Sequence, residues 1–136
     1  MTSPSTKGED VIVLLGRVAL GAIFVKSGLQ KLMALSAFAA SLASRGVPQS
    51  SMLAVIGATV EFVGGIMIVT GFRARPASLL MILFVIVATG ISHRYWEYAP
   101  AYQLGQFGNF YKNLAIAGGL MMLATFGPGR LSVDRR

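Results

Sequence analysis

Glu61 stands near the middle of an apolar run, residues 51–71, that is long enough to cross a bilayer. A lone carboxylate is costly in hydrocarbon, so it should face protein or trapped water and find a cationic partner. Arg17, inside the first apolar run, is one candidate, and an Arg17–Glu61 ion pair would offset much of the desolvation of both groups. Histidine is the side chain that exchanges protons near neutral pH, and His93 is the single histidine of the chain. Around it in sequence or in expected height stand Lys31, Trp96, Gln106, Asn109, Lys112 and Asn113. Ammonium groups beside amides and an imidazole would suit an anion or the polar head of a quinone-like molecule.

Such groups act together only if helices carry them to a common interior. The chain has 136 residues, of which 54% are hydrophobic and 12% charged, a balance outside that of soluble domains. Four apolar segments lie near residues 11–32, 51–71, 77–92 and 109–126, each close to the roughly 20 residues of a spanning helix. A polar head, residues 1–10, and a basic tail, residues 130–136, flank this membrane domain, and Gly127-Pro128-Gly129 should stop the last helix. The expected fold is an all-α four-helix membrane bundle. The polar head lacks the basic start and cleavage site of a signal peptide, so the first apolar segment is read as retained.

Lysine and arginine set the expected orientation. With four spans, Lys7, Arg73, Arg75, Arg130, Arg135 and Arg136 share one side, against Lys31, Arg45 and Arg94 on the other. The positive-inside rule places both termini in the cytoplasm. The formal charge of +7 is scattered between apolar spans rather than gathered on a face, which argues for lipid contact and against nucleic acid. Cysteine is absent, which excludes disulfides, thiolate catalysis and iron–sulfur clusters. One histidine without cysteine or a carboxylate cluster makes no zinc site.

Helical spacing sorts the polar residues by face. Arg17, Gly21, Phe24, Gly28 and Lys31 form one stripe, and Lys26 lies opposite Arg17, where its stem can snorkel to the interface. In the second segment, Ala54, Gly57, Ala58, Gly64 and Gly65 flank the Glu61 face, and small residues let helices approach closely. Gly118-Gly119 invites the same reading in the last helix. At about 1.5 Å per residue, Arg17 lies roughly 9 Å and Glu61 roughly 13 Å above the expected inner ends of their helices, within reach of each other. The default reading of such a pair is structural, fixing the packing without chemistry. The aromatic run Tyr95-Trp96 has an interfacial belt as its default explanation. Gln103-Leu104-Gly105-Gln106-Phe107-Gly108 reads as a shaped loop, with Asn109 a candidate N-cap and Asn109, Lys112 and Asn113 on one face after it.

These residues resemble the DoxX family. The resemblance is carried by Arg17, Gly21, Phe24, Gly28 and Lys31-Leu32, then Glu61 with Gly64-Gly65, then Asn109-Phe110-x-Lys112-Asn113-Leu114-Ala115. It ends in Gly127-Pro128-Gly129, Ser132 and Asp134. It implies a small four-helix protein of the bacterial inner membrane. The family takes its name from a subunit of a thiosulfate:quinone oxidoreductase, and a mycobacterial relative is associated with oxidative-stress proteins. One position departs: many members carry His where this chain has Ser27, so a role for that imidazole does not carry over.

Three functional readings follow. In the first the chain is a redox-associated membrane subunit holding a quinone or small anion, with Lys31 and Lys112 countering negative charge and His93 passing protons. It has no haem-ligand pair or flavin motif and stores no electrons itself. In the second it is a non-enzymatic scaffold or assembly factor, recruiting a partner protein or a second copy of itself. In the third it is a small-solute carrier, against which stands the absence of broken helices and repeats.

Overall fold

The computed structural model describes residues 4–135, and every regular element among them is helical. The order is α1 (Lys7–Met33), α2 (Leu35–Ser44), α3 (Ser50–Thr70), α4 (Ala74–Ser92) and α5 (Pro100–Phe126), with a 3-10 turn at Tyr95–Glu97. By length and apolar character α1, α3 and α4 can each cross a membrane. α2, at 10 residues, is too short to do so. α5 has the length, but the polar side chains of its first half dilute its apolar character.

Local chemistry explains the ends. Thr6 and Glu9 form a capping box: the Glu9 amide donates to Thr6 Oγ1 at 3.2 Å, and the Thr6 amide donates to Glu9 Oε2 at 2.5 Å. α1 therefore starts at Lys7, ahead of its apolar run. α3 closes in a left-handed Gly71, φ 72°, with the Phe72 amide donating to Met67 O and the Gly71 amide to Ile68 O, a Schellman arrangement. α4 has no side-chain cap of its own; its first free amides, of Arg73 and Ala74, donate to the Asp134 carboxylate at 2.8 and 2.9 Å. Pro100 at the first turn starts α5.

Two differences from the sequence reading stand out. The stretch 103–108, expected as a loop, forms early turns of α5, and Asn109 lies mid-helix rather than at a cap. Contacts with the preceding turn override the weak helix preference of its glycines. Tyr95 meets Phe107 and Phe110 edge-on at 5.0 and 5.6 Å between ring centres, and the Tyr98 hydroxyl donates to Ser92 O at 2.6 Å. Between the first two long helices, where the four expected segments leave a gap, the chain forms α2.

α1 and α3 run antiparallel and make the closest pair, α4 and α5 make the second, and α3 packs on α4 to join them. Glycines set the first contact. A Cβ on Gly28 would lie 2.5 Å from the Phe62 amide nitrogen, one on Gly21 3.0 Å from Gly65 O, and one on Gly65 2.8 Å from the Val25 nitrogen. Backbone thus touches backbone along this seam. Phe24, Ile68, Met81, Val85 and Leu120 fill the core behind it. The Gly118-Gly119 pair differs from expectation: Gly118 faces open space, and Gly119 meets only Leu20. Val55, Leu79, Leu83, Ile86, Leu114 and Met122 point outward, as lipid contact requires.

The chain ends meet at one end of the bundle. The amides of Val133 and Asp134 donate to Thr70 O and Gly71 O at 3.0 and 3.1 Å. Arg130 bridges to Asp10 at 3.2 Å and donates to Ser5 O.

Candidate functional site

The glycine seam fixes which residues of α1 and α3 share a level. Gly21 lies against Gly65 and Val69, and Gly28 lies against Phe62. One turn beyond Gly28, the last turn of α1 brings Lys31 to Glu61, and Lys31 Nζ donates to Glu61 Oε2 at 2.7 Å. The Glu61 side chain is 5% exposed and that of Lys31 30%, so the carboxylate is the more desolvated partner. Phe38 of α2 and Phe84 of α4 face the ammonium at 5.1 and 5.9 Å, adding cation–π attraction to the ion pair.

Arg17 is also buried, but Glu61 is not its partner. Its Nε donates to Val69 O at 3.2 Å, its two terminal nitrogens to Pro128 O and Leu131 O. The expected Arg17–Glu61 pair fails because the start of α1 and the end of α3 are not level. Arg17 sits beside the last turn of α3, whereas Glu61 sits beside Gly28, about 16 Å further along α1. A guanidinium cannot reach that far. What Arg17 meets instead is a set of carbonyls, one of them an orphan of the α3 terminus, and its planar fork of donors suits three acceptors at once.

Four of the residues singled out from sequence converge with Glu61. Lys31, His93, Lys112 and Asn113 line a cavity of ≈ 250 Å³ between α1, α3, α4 and α5, floored by Phe24, Phe84 and Ile116. Gln106 stands behind His93: its Oε1 lies 2.6 Å from His93 Nδ1. An amide oxygen only accepts, so Nδ1 carries the hydrogen and Nε2 is the ring nitrogen left for a ligand. The Asn113 amide donates to Thr89 Oγ1 at 3.0 Å, and Thr89 in turn donates to Val85 O at 2.6 Å, which fixes the Asn113 side chain.

Two candidates lie apart. Trp96, more than half exposed, packs edge-on against Tyr95 and Phe110 and lines an apolar surface groove with Arg94. Asn109 is half-buried on α5 and does not line the cavity. Conversely, Ser27, Gln30 and Lys26 of α1 line it without having been singled out as ligand contacts. The signal for them was the glycine spacing: a register set by Gly21 and Gly28 against Gly65 carries the last turn of α1 to Glu61. Lys26, Lys31 and Lys112 line the same cavity as Glu61, an excess of positive charge that favours an electron-rich or anionic guest. Among the described residues no group of three or more His, Asp or Glu side chains could hold a metal ion.

A family model, DoxX, matches residues 12–94. The chain is similar to the inner membrane protein YphA of Escherichia coli strain K12, 36% identical over 128 residues, covering 94% of this chain and 91% of YphA. It is also similar to the inner membrane protein YqjF of the same strain, 32% identical over 129 residues, covering 95% and 94% of the two chains. A Surfeit locus protein 4 homolog of Schizosaccharomyces pombe is 33% identical over 72 residues, covering 52% of this chain and 24% of that protein. No solved structure matches the chain.

Proposed function

The chain belongs to the DoxX family and is a multi-pass protein of the inner membrane, and from that premise we propose that it holds the polar head of a quinone-like or small anionic molecule. It does so in the cavity of Lys31, Glu61, His93, Lys112 and Asn113, as the membrane subunit of a redox system. The single observation carrying this reading is that cavity, polar on one wall and apolar on its floor, built by four helices from residues far apart in sequence. A quinone carbonyl accepts hydrogen bonds, which Lys31, Lys112 and the Asn113 amide donate. Aromatic and aliphatic side chains below receive the ring. His93, oriented by Gln106, is the group that exchanges a proton with the bound head. Electrons come from a partner, since the chain carries no group that stores them.

The same proposal includes four crossings with both termini in the cytoplasm. Support comes from α5, which starts beside the end of α4 and finishes beside Arg17, so that it runs the length of the helix it packs on. The N-terminal end, the α3–α4 turn and the basic tail meet at one end of the bundle, the end that the positive-inside rule assigns to the cytoplasm. A reporter active only in the cytoplasm, fused to the C-terminal end of the chain, should be active there. Activity of an outside-only reporter at that position would overturn the arrangement.

Binding tests the main reading. A short-chain quinone titrated into the protein in lipid nanodiscs should bind saturably, read by quenching of the single tryptophan, Trp96. Lys31→Gln should weaken binding by about tenfold or more, the scale of a lost charged hydrogen bond. A second reading, a non-enzymatic scaffold for a partner protein, is favoured by the open seam between α1 and α5. That seam is a groove of ≈ 520 Å³ with Gly16, Leu20, Gly119 and Met122 in its walls. No saturable binding, together with a defined partner that co-purifies from native membranes, would decide for the scaffold.

A further inference from the structure

The polar cavity is small for a complete ligand. At ≈ 250 Å³ it falls below the range of about 300–1,000 Å³ in which ligand pockets usually lie. On the other side of Lys31 there is more room. α2 roofs a second chamber of ≈ 400 Å³ whose walls are largely apolar, with Phe38, Leu42, Leu53, Ile56, Val87 and Ile91 among them. The two spaces meet at Lys31, Phe84, Ala88 and His93, which line both. Together they reach the usual range, with one polar lobe and one apolar lobe.

We infer that the guest is a single-chain amphiphile: its head sits at Lys31, Glu61 and His93, and its one prenyl or acyl chain lies in the chamber beneath α2. This rests on the head-binding reading above and adds to it the class of the ligand and the place of its tail. Lys31 is the joint between the lobes. Its ammonium meets Glu61 on the polar side, and Phe38 and Phe84 hold it where the chamber begins. The apolar side chains that make up most of its walls suit an apolar chain. There is one such lobe at the joint, which suits one chain and not the two of a diacyl phospholipid.

α2 suits the route of entry. It spans about 15 Å, half the thickness of a hydrocarbon core, and it packs on α3 and the end of α1 rather than on α4. The chamber therefore adjoins the bilayer between α2 and α4, where a membrane-dissolved chain already is.

Gly57 gives a variant that fills the chamber without disturbing the seam. It lines the chamber, and a Cβ there would meet only Phe38, at 3.9 Å, an ordinary contact. Two probes share one benzoquinone head, one tailless and one carrying a ten-carbon chain, and both are titrated into the parent and Gly57→Leu in nanodiscs. Gly57→Leu should weaken the tailed probe by about tenfold, the scale of overpacking, and leave the tailless probe within about twofold. A photoreactive group at mid-chain should label Phe38, Leu53 or Ile56. Equal loss of both probes, or no loss of either, would overturn the placement of the tail while leaving the head site standing. Failure of both probes to bind the parent would remove the head site itself, and this inference with it.

Discussion

Buried charge in this chain is resolved in two different ways, one for each residue that the sequence brings to notice. Glu61 is neutralised by Lys31, whose side chain stays partly exposed. Arg17 is satisfied by three carbonyls and holds the α3 terminus to the segment after α5. That both ions face protein rather than lipid was legible from their helical faces. Their partners were not, because depth counted from assumed helix ends misses that the start of α1 and the end of α3 are not level. A double-mutant cycle in detergent melts separates the two accounts. Lys31→Met with Glu61→Gln should show a coupling of about 1–3 kcal/mol, while Arg17→Gln with Glu61→Gln should be additive within about 0.5 kcal/mol. Coupling in the second pair and none in the first would restore the pairing read from sequence.

Elements meet where side chains are absent. The stripe Arg17, Gly21, Phe24, Gly28 is buried along α1 and Gly65 of α3 receives it, whereas Gly64 packs on Met81 of α4 and Gly57 faces Phe38 of α2. The sequence displays such a seam openly, since apolar helices in lipid associate through small residues. It conceals α2, which is apolar but too short for a span, and the start of α5, whose glutamines and glycines have a loop's composition. Those two elements are fixed by tertiary contacts, α2 by its packing on α3 and by Phe38 over Lys31, the start of α5 by Gln106 against His93. A pair of glycine substitutions checks the seam. Gly28→Ala would press a methyl into the Phe62 backbone and should lower the melting temperature strongly, by about 2 kcal/mol or more in stability. Gly118→Ala, with open space around it, should stabilise by about 0.5–1 kcal/mol through helix propensity alone. Similar melts for the two would mean that α1 and α3 do not touch as described.

Over the whole molecule, polar chemistry separates into two ends. At one, Arg17, Asp134, Asp10 and Arg130 clamp the chain ends to the α3–α4 turn. At the other, Lys31, Glu61, His93, Lys112 and Asn113 enclose a space. The residues that carry the family resemblance divide between these ends: Arg17 and Asp134 belong to the clamp, Lys31, Glu61, Lys112 and Asn113 to the cavity. The clamp uses its hydrogen bonds internally, and the cavity has a partly exposed Lys31 and an imidazole nitrogen unclaimed by Gln106. The central claim is that this cavity has an occupant in the membrane. Native mass spectrometry of the protein taken from its own membranes tests it most directly. The account predicts one bound amphiphile of quinone-like mass on the parent and its loss from Lys31→Gln; a bare protein, or an adduct retained equally by the variant, would contradict it.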